Sequence, residues 1–475
     1  MEWFAAADYE IARQVLQRGI AALYLIAFVS AAYQFPALLG ERGLLPAPWF
    51  LRRVTFRQFP SVFHWRYSDG LLLAVASGGA GLAATLIVGL PQAGPPWLPM
   101  LAFLALWAAY LSIVNIGQTF YGFGWESLLL EAGFIVAFLG SNQVAPPLLV
   151  ILFLRWLVFR LEFGAGMIKM RGGREWRDLT ALMYHHETQP MPNPVSWFVH
   201  HLPRWFHRGE VLGSHFAQLV VPFFLFAPQP VASVAAGIVI LTQFWLVLTG
   251  NFAWLNWITI VLAFCAIDDA TLAAVFPGLI VVTDYPAPPL WWVIVVGAAS
   301  VLLIVLSWLP LRNLFARHQL MNASFNRYHL VNAYGAFGTV TKVRIEVIVE
   351  GCADRRPGPD SEWLPYEFRG KPGDPKRMPP QVAPYHLRLD WLMWFLALGS
   401  PDTRWFQMLI YRLLDGDERI LRLLRFNPFQ DAPPLWIRAR AFRYRYSTRA
   451  ERRDTGEWWV RSEVGMLIDP VGFER

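Results

Sequence analysis

Stretches of about 20 mostly apolar residues recur along the first two-thirds of the chain. Each is long enough to cross a hydrocarbon layer about 30 Å thick as a helix, because only a helix satisfies its own backbone polar groups there. Nine segments qualify on apolar length: Gly19–Leu39, Leu71–Leu90, Trp97–Val114, Glu126–Gly140, Pro147–Phe163, His215–Phe226, Val231–Leu248, Trp254–Ile267 and Leu290–Leu309. Some are short, so the expectation is about seven to nine spans. The first follows Arg13 and Arg18 and is too long for the apolar core of a cleaved signal peptide, so it stays in the protein. In the second, Ser77-Gly78-Gly79-Ala80-Gly81 offers a neighbouring helix a close approach. Thr271–Val282 is apolar enough to touch the membrane without crossing it.

Composition agrees: 55 % of the 475 residues are hydrophobic and only 16 % charged, which excludes a disordered, collagenous or ordinary soluble chain. The formal charge of +7 invites a nucleic-acid reading. The cations, however, lie beside apolar segments and in the tail, where anionic lipid headgroups are the natural counter-charge, so the partners expected are membrane lipids and not nucleic acid. Cys265 and Cys352 allow at most one disulfide and form no CxxC pair.

Beyond Pro310 the chain turns polar and rich in Arg and Pro, giving two regions: a polytopic α-helical membrane bundle at 1–309, with a histidine-rich loop at 171–214, and a globular, β-rich α+β domain at 310–475. Val343, Ile345, Val347 and Val349 alternate with charged residues as a strand with one buried face does. Leu435–Ser447 and Trp458–Ile468 are further strands, and Arg404–Leu414 and Asp417–Arg425 have helical spacing, with Asp417 as N-cap after the breaker Asp415-Gly416. The run Arg438, Arg440, Arg443, Arg445 reads as a solvated strand face, or as a docking platform for acidic lipid or a partner.

Charges inside the spans carry the most chemistry. Glu126 and Glu131 lie on the fourth segment, Arg155 and Arg160 on the fifth, and an antiparallel hairpin folded about the loop at Asn142 puts Glu126 level with Arg160 and Glu131 level with Arg155. A lone charge at mid-bilayer costs roughly 2.5–3.5 kcal/mol on insertion scales, so pairing is expected. Residues five apart sit about 140° around a helix, so one pair is free to face a third helix. Such pairs either fix helix packing or line a polar cavity, which Glu162 and Lys169, seven apart on one face, extend towards the loop.

Six of the ten histidines fall between His185 and His215. Neither HExxH nor a Cys/His finger spacing is present, and Pro190, Pro192 and Pro194 force an extended crossing, so no metal and no cofactor are expected. Trp197, Trp205 and Phe206 make the next segment interfacial. A catalytic reading uses His185 or His186 as general base, oriented by Glu187 or Asp178, with Trp176, Arg177, Asn193, His200 and His201 completing a polar surface. Walker A, GxSxG and strand-following GxGxxG patterns are missing. Asp268-Asp269 ends a span and caps a helix there.

The strings NIGQTFYGFGWESLLLEAGF, LVFRLEFGAGMIKMRGGREWRDLTALMYHHETQPMPNPVSWFVHHLPRWFHR, LTGNFAWLNWITI, YHLVNAYGAFGTVTKVRIEVIVEG and PYHLRLDWLMWF closely resemble the lipase maturation factor family over nearly the whole chain. The resemblance implies a multi-pass membrane protein with a globular C-terminal domain, whose animal members reside in the endoplasmic reticulum and help client lipases fold and assemble into active dimers. It transfers no catalytic motif. In a prokaryote the corresponding site is the cell membrane. A looser likeness to the vitamin K-dependent carboxylase group keeps a second reading open, a membrane enzyme acting on a lipid, quinone or client side chain. Two features depart from the family picture: two cysteines leave little for thiol exchange, and VGFER is no retrieval signal.

With nine spans the loop Gly40–Asp69, the histidine-rich loop and the tail share one side. Arg42, Arg52, Arg53, Arg57 and Arg66, with Lys169, Arg171, Arg174, Arg177, Arg204 and Arg208, put that side in the cytoplasm by charge bias. The family puts its C-terminal domain in the lumen. We take the family's orientation, since loops that fold with the bundle keep arginines for reasons unrelated to insertion.

Overall fold

The computed structural model describes residues 3–278 and 284–472, so the part of the Thr271–Val282 stretch from Leu279 on lies outside the described residues. The helices that organise the bundle are α1 (Glu10–Leu38), α2 (Asp69–Val88), α3 (Trp97–Asn115), α4 (Gly124–Val136), α5 (Leu148–Arg171), α6 (Leu182–Thr188), α7 (Arg204–Leu219), α8 (Val231–Thr249), α9 (Leu255–Ala263) and α10 (Leu290–Phe315). In the tail, α11 (Arg388–Ala397) and α12 (Arg404–Leu414) accompany the strands β1 (Arg344–Cys352), β2 (Leu364–Pro365), β3 (Trp436–Tyr446) and β4 (Trp459–Gly472).

Among the described residues five helices are long and apolar enough to cross a membrane: Ala7–Leu38, α2, α3, α8 and α10. A pair bent by 111°, Leu255–Ala266 with Asp269–Val275, makes six if it counts as one span. Length and apolarity alone do not confirm the expectation of seven to nine. Glu126–Gly140 contains only the 13-residue α4, and Pro147–Phe163 lies in the 24-residue α5 but brings Arg155, Arg160 and Glu162 with it. His215–Phe226 breaks at Val220, ahead of Pro222. The physical reason is length and charge: α4, buried at every residue, rises only about 20 Å, short of the roughly 30 Å core, and α5 carries three charges in its apolar stretch.

Close approach occurs where small residues permit it. A Cβ on Gly79 would stand 2.6 Å from the Phe28 ring, so α1 and α2 pack through that glycine, whereas Gly78 and Gly81 face open space. Ser68 caps α2, its side chain accepting from the Leu71 N–H at 3.1 Å, and Gly89 ends it at φ 86°. Asp268 caps Asp269–Val275 by accepting from the Thr271 N–H at 3.2 Å, while Asp269 accepts from the N–H groups of Glu10 and Ile11, both at 2.9 Å. The acid pair thus caps two helices. Arg13, expected as a charge flanking α1, is buried instead, bonded to Glu10 at 2.5 Å and to the Val144 carbonyl at 2.6 Å.

The tail sheet is antiparallel in the order β2-β1-β3-β4, with Glu346 opposite Phe442 and Glu350 opposite Arg438. Its strands fall where the sequence places them. The predicted single buried face does not hold, because eight of the nine β1 residues are buried. Its charged face is sealed by ion pairs: Glu346 binds Arg344 at 2.5 Å and Lys371 at 2.6 Å, all three fully enclosed. Much of the arginine run is likewise tied down, Arg438 and Arg440 holding Glu350 at 2.7 and 2.6 Å and the exposed Arg445 pairing with Glu451 at 2.6 Å. Asp417 caps Glu418–Leu421, shorter than the helix expected to Arg425.

The tail is anchored to the bundle side chain by side chain. Arg344 donates to the carbonyls of Glu187, Gln189 and Pro190 in the histidine-rich loop at 3.0, 2.5 and 3.1 Å. Arg419 pairs with Asp69 at 3.1 Å, and Arg327 donates to the Arg57 carbonyl at 2.5 Å. The loop 40–69, the histidine-rich loop and the tail therefore meet at one end of the bundle.

Candidate functional site

The polar interior is built on α4 and α5, and neither of the two pairs expected between them from sequence, Glu126–Arg160 and Glu131–Arg155, forms. Arg160 pairs with Glu131, not Glu126. Glu131 also accepts from the Asn332 N–H at 2.8 Å, the Asn332 side chain at 3.0 Å and the Tyr334 hydroxyl at 2.7 Å, while Arg160 donates to the Asn332 carbonyl at 2.6 Å. Glu126 takes its cation from the tail: Arg388 donates to it at 2.6 Å, His386 lies 3.3 Å away, and the Tyr110 hydroxyl donates as well. The Arg388 guanidinium lies 3.4 Å from the centre of the Tyr121 ring. Arg155 has neither glutamate; it donates to the Tyr9 hydroxyl at 2.7 Å and the Cys265 carbonyl at 3.2 Å. Two tail segments, around Asn332 and around Arg388, thus supply partners that a two-helix hairpin could not anticipate.

Above these pairs is a cavity of about 740 Å³ walled by α5, α7, α8, α9 and the tail. Its lining is mostly apolar surface and carries many aromatic rings, among them Trp125, Trp245, Phe252, Trp391 and Phe395. Polar groups are few and tethered. Glu162 accepts from Gln243 at 2.6 Å, whose own oxygen accepts from Asn256 at 2.6 Å. Lys169 donates to Ser214 at 3.0 Å and Gln218 at 2.9 Å and stands 4.4 Å over the Trp176 ring. A large apolar chamber with a few fixed polar groups is suited to an amphipathic guest such as an acyl chain or an apolar peptide segment.

Of the residues singled out from sequence, Glu162, Lys169, Trp176, His185 and His186 line this cavity; Glu126, Glu131, Arg155 and Arg160 are paired outside it. Arg177 and Asp178 are exposed. Asn193 is buried and structural, donating to the Leu248 carbonyl at 2.9 Å and accepting from the Ser196 N–H at 3.0 Å. His201 faces the Trp197 carbonyl at 2.7 Å. His185 stacks on Phe252, and burial pushes its pKa down to about 3, so the ring is neutral. Glu187 turns away from both cavity histidines. It accepts from the Tyr446 N–H at 2.7 Å and lies 3.7 Å from His200. Burial raises the Glu187 pKa, and it lowers that of His200 to about 3, so the His200 ring is neutral. Neither Glu187 nor Asp178 therefore orients a histidine base.

The carboxylate that does reach the histidines is Glu210, which sequence reasoning passed over. Its Oε2 lies 2.8 Å from His207 Nδ1 and 3.5 Å from His186 Nε2, and its Oε1 accepts from Trp245 Nε1 at 2.8 Å. The signal was present: His207 and Glu210 are three apart on the amphipathic α7 and so share a face.

Comparison with known proteins agrees with this architecture. Residues 11–274 match the family model described as the lipase maturation factor transmembrane domain, and residues 330–469 the lipase maturation factor C-terminal domain. The chain is 40 % identical to Lipase maturation factor 1 of Homo sapiens, over 98 % of this chain and 88 % of that protein. Identity is 39 % to Lipase maturation factor 1 of Mus musculus, with the same coverage, and 30 % to Lipase maturation factor 2 of Homo sapiens, over 98 % of this chain and 83 % of the relative. No solved structure matches it. With both family domains in order and nearly the full length aligned, the chain is a multi-pass membrane protein that belongs to the lipase maturation factor family.

Proposed function

We propose that this protein assists the folding and assembly of lipase clients from within the membrane; the names of its relatives state lipase maturation. The observation that carries the reading is the 40 % identity to human Lipase maturation factor 1 across 98 % of the chain. Client contact falls to the end of the molecule where the tail and the histidine-rich loop meet, and the cavity beneath gives an apolar client segment or lipid chain a place to lodge. Counting the enclosed α4 and α5 with the five apolar helices gives seven crossings, in the lower part of the range read from sequence. The membrane is that of the endoplasmic reticulum in a eukaryotic host and the cell membrane in a prokaryotic one. The enzyme reading required Glu126, Glu131 and Arg160 in the same pocket as Lys169 and His185; the first three are spent on Arg388, Asn332 and each other.

Complementation tests this. Cells lacking Lipase maturation factor 1 and expressing a secreted dimeric lipase should regain lipase activity per unit of lipase antigen when this chain is supplied, with lipase synthesis unchanged. Unaltered specific activity, with the protein folded and in the membrane, would overturn the proposal.

A further inference from the structure

We propose that His186, His207 and Glu210 form a binding site for one divalent transition-metal ion of the zinc class, with an open coordination position facing the cavity. The expectation of no metal rested on linear spacing, and the fold assembles the set from two helices instead, α6 and α7. The three ligand atoms lie within 4.8 Å of one another. A tetrahedral zinc with bonds of about 2.0–2.1 Å separates its ligand atoms by roughly 3.3 Å. The separations of 2.8 and 3.5 Å to Glu210 Oε2 bracket that value, so on the carboxylate side adjustments of a few tenths of an ångström suffice.

Two further observations point to a cation. The His186 side chain is 3 % exposed, and neither of its ring nitrogens has a hydrogen-bond partner, although Nε2 faces the carboxylate. A buried imidazole forgoes hydrogen bonds at a cost of about 1–3 kcal/mol, which a metal bond to Nε2 offsets. His207 Nε2 lies 3.4 Å from the His200 carbonyl. A proton held there leaves the Nδ1 lone pair pointing at a carboxylate oxygen, a repulsive contact that a metal ion between them turns into two bonds. The outer partners are those that metal ligands use: a backbone carbonyl behind His207 and an indole N–H behind Glu210.

Three protein ligands are one short of a closed structural site, and His186 and Glu210 both line the cavity, so the fourth position opens inward. A water or an oxygen of the guest completes the shell. The competing occupant is a proton, which would make His207 an imidazolium paired with Glu210.

The test uses the full chain, purified in detergent without a polyhistidine tag and dialysed against a zinc buffer. Elemental analysis is expected to give one zinc per chain. Losing an outer partner of a metal ligand costs about 10–100-fold in affinity, so H186A and the isosteric E210Q should each weaken binding at least that much, while H201A keeps the ion. Cobalt added to the metal-free protein should show the intense visible bands of a tetrahedral N/O site, a readout that needs no variant to fold. A metal-free wild type, zinc retained equally by E210Q, or only the weak bands of six-coordinate cobalt would each overturn the site.

Discussion

Replacing Arg388 by Met is expected to lower the stability of the detergent-purified protein by about 3–5 kcal/mol, because it strands the Glu126 carboxylate in a region with no solvent access. The cost is that of an uncompensated buried charge rather than lost packing, since Met fills most of the same volume. E126Q combined with R388M removes the charge from both sides, and a buried pair replaced by neutral groups of similar size is close to neutral. Denaturant unfolding of the two single variants and the double variant should therefore show the double as more stable than R388M alone. Additive losses would mean that the two side chains act independently and that the tail is not held by this contact.

A loss of similar size is expected from Glu346→Ala in the tail sheet. Glu346 is completely buried and neutralises both Arg344 and Lys371. Arg344 keeps the loop carbonyls of Glu187, Gln189 and Pro190, so Lys371 is left with the larger share of the penalty, again about 3–5 kcal/mol. Adding Lys371→Met to Glu346→Ala should recover a substantial part. Because β1 carries the arginine that grips the histidine-rich loop, the single variant should also increase proteolysis within residues 187–200. Unfolding curves and a protease time course read the two effects separately, and an intact loop in a destabilised protein would uncouple the sheet from the roof of the cavity.

The two-part architecture and the tail strands were legible in the sequence because apolar length and period-two alternation are local signals. Asp417 as a cap and Asp268-Asp269 as helix-end acids were legible for the same reason. The span count is not confirmed: five helices, or six with the bent pair, pass on length and apolarity, while α4 and α5 are enclosed, and hydropathy cannot tell a helix facing lipid from one facing other helices. The carboxylate pairing went wrong for a related reason. Depth matching between adjacent helices gave neither pair: Arg160 takes Glu131, Glu126 finds Arg388 at a sequence distance of 262, and Asn332 contributes a backbone N–H and a carbonyl to the Glu131–Arg160 pair. Partners so remote leave no periodicity to read. Of the residues that line the cavity, Glu162, Lys169, Trp176, His185 and His186 were among those singled out from sequence, and Glu210 was not, because loop motifs do not show the shared face of α7.

All of this rests on the segment from Pro384 to Phe395 being inserted into the bundle, where the Arg388 N–H donates to Gln34 of α1 at 3.0 Å and Gln34 donates to the His386 carbonyl at 2.7 Å. Hydrogen–deuterium exchange of the detergent-purified chain measures this directly. The account predicts that peptides covering 384–396 are protected as strongly as those covering α4. Exchange of 384–396 as fast as that of the exposed turn at residues 353–362 would show the tail to be a separate domain resting on the membrane part, and the cavity and its polar interior would lose their common wall.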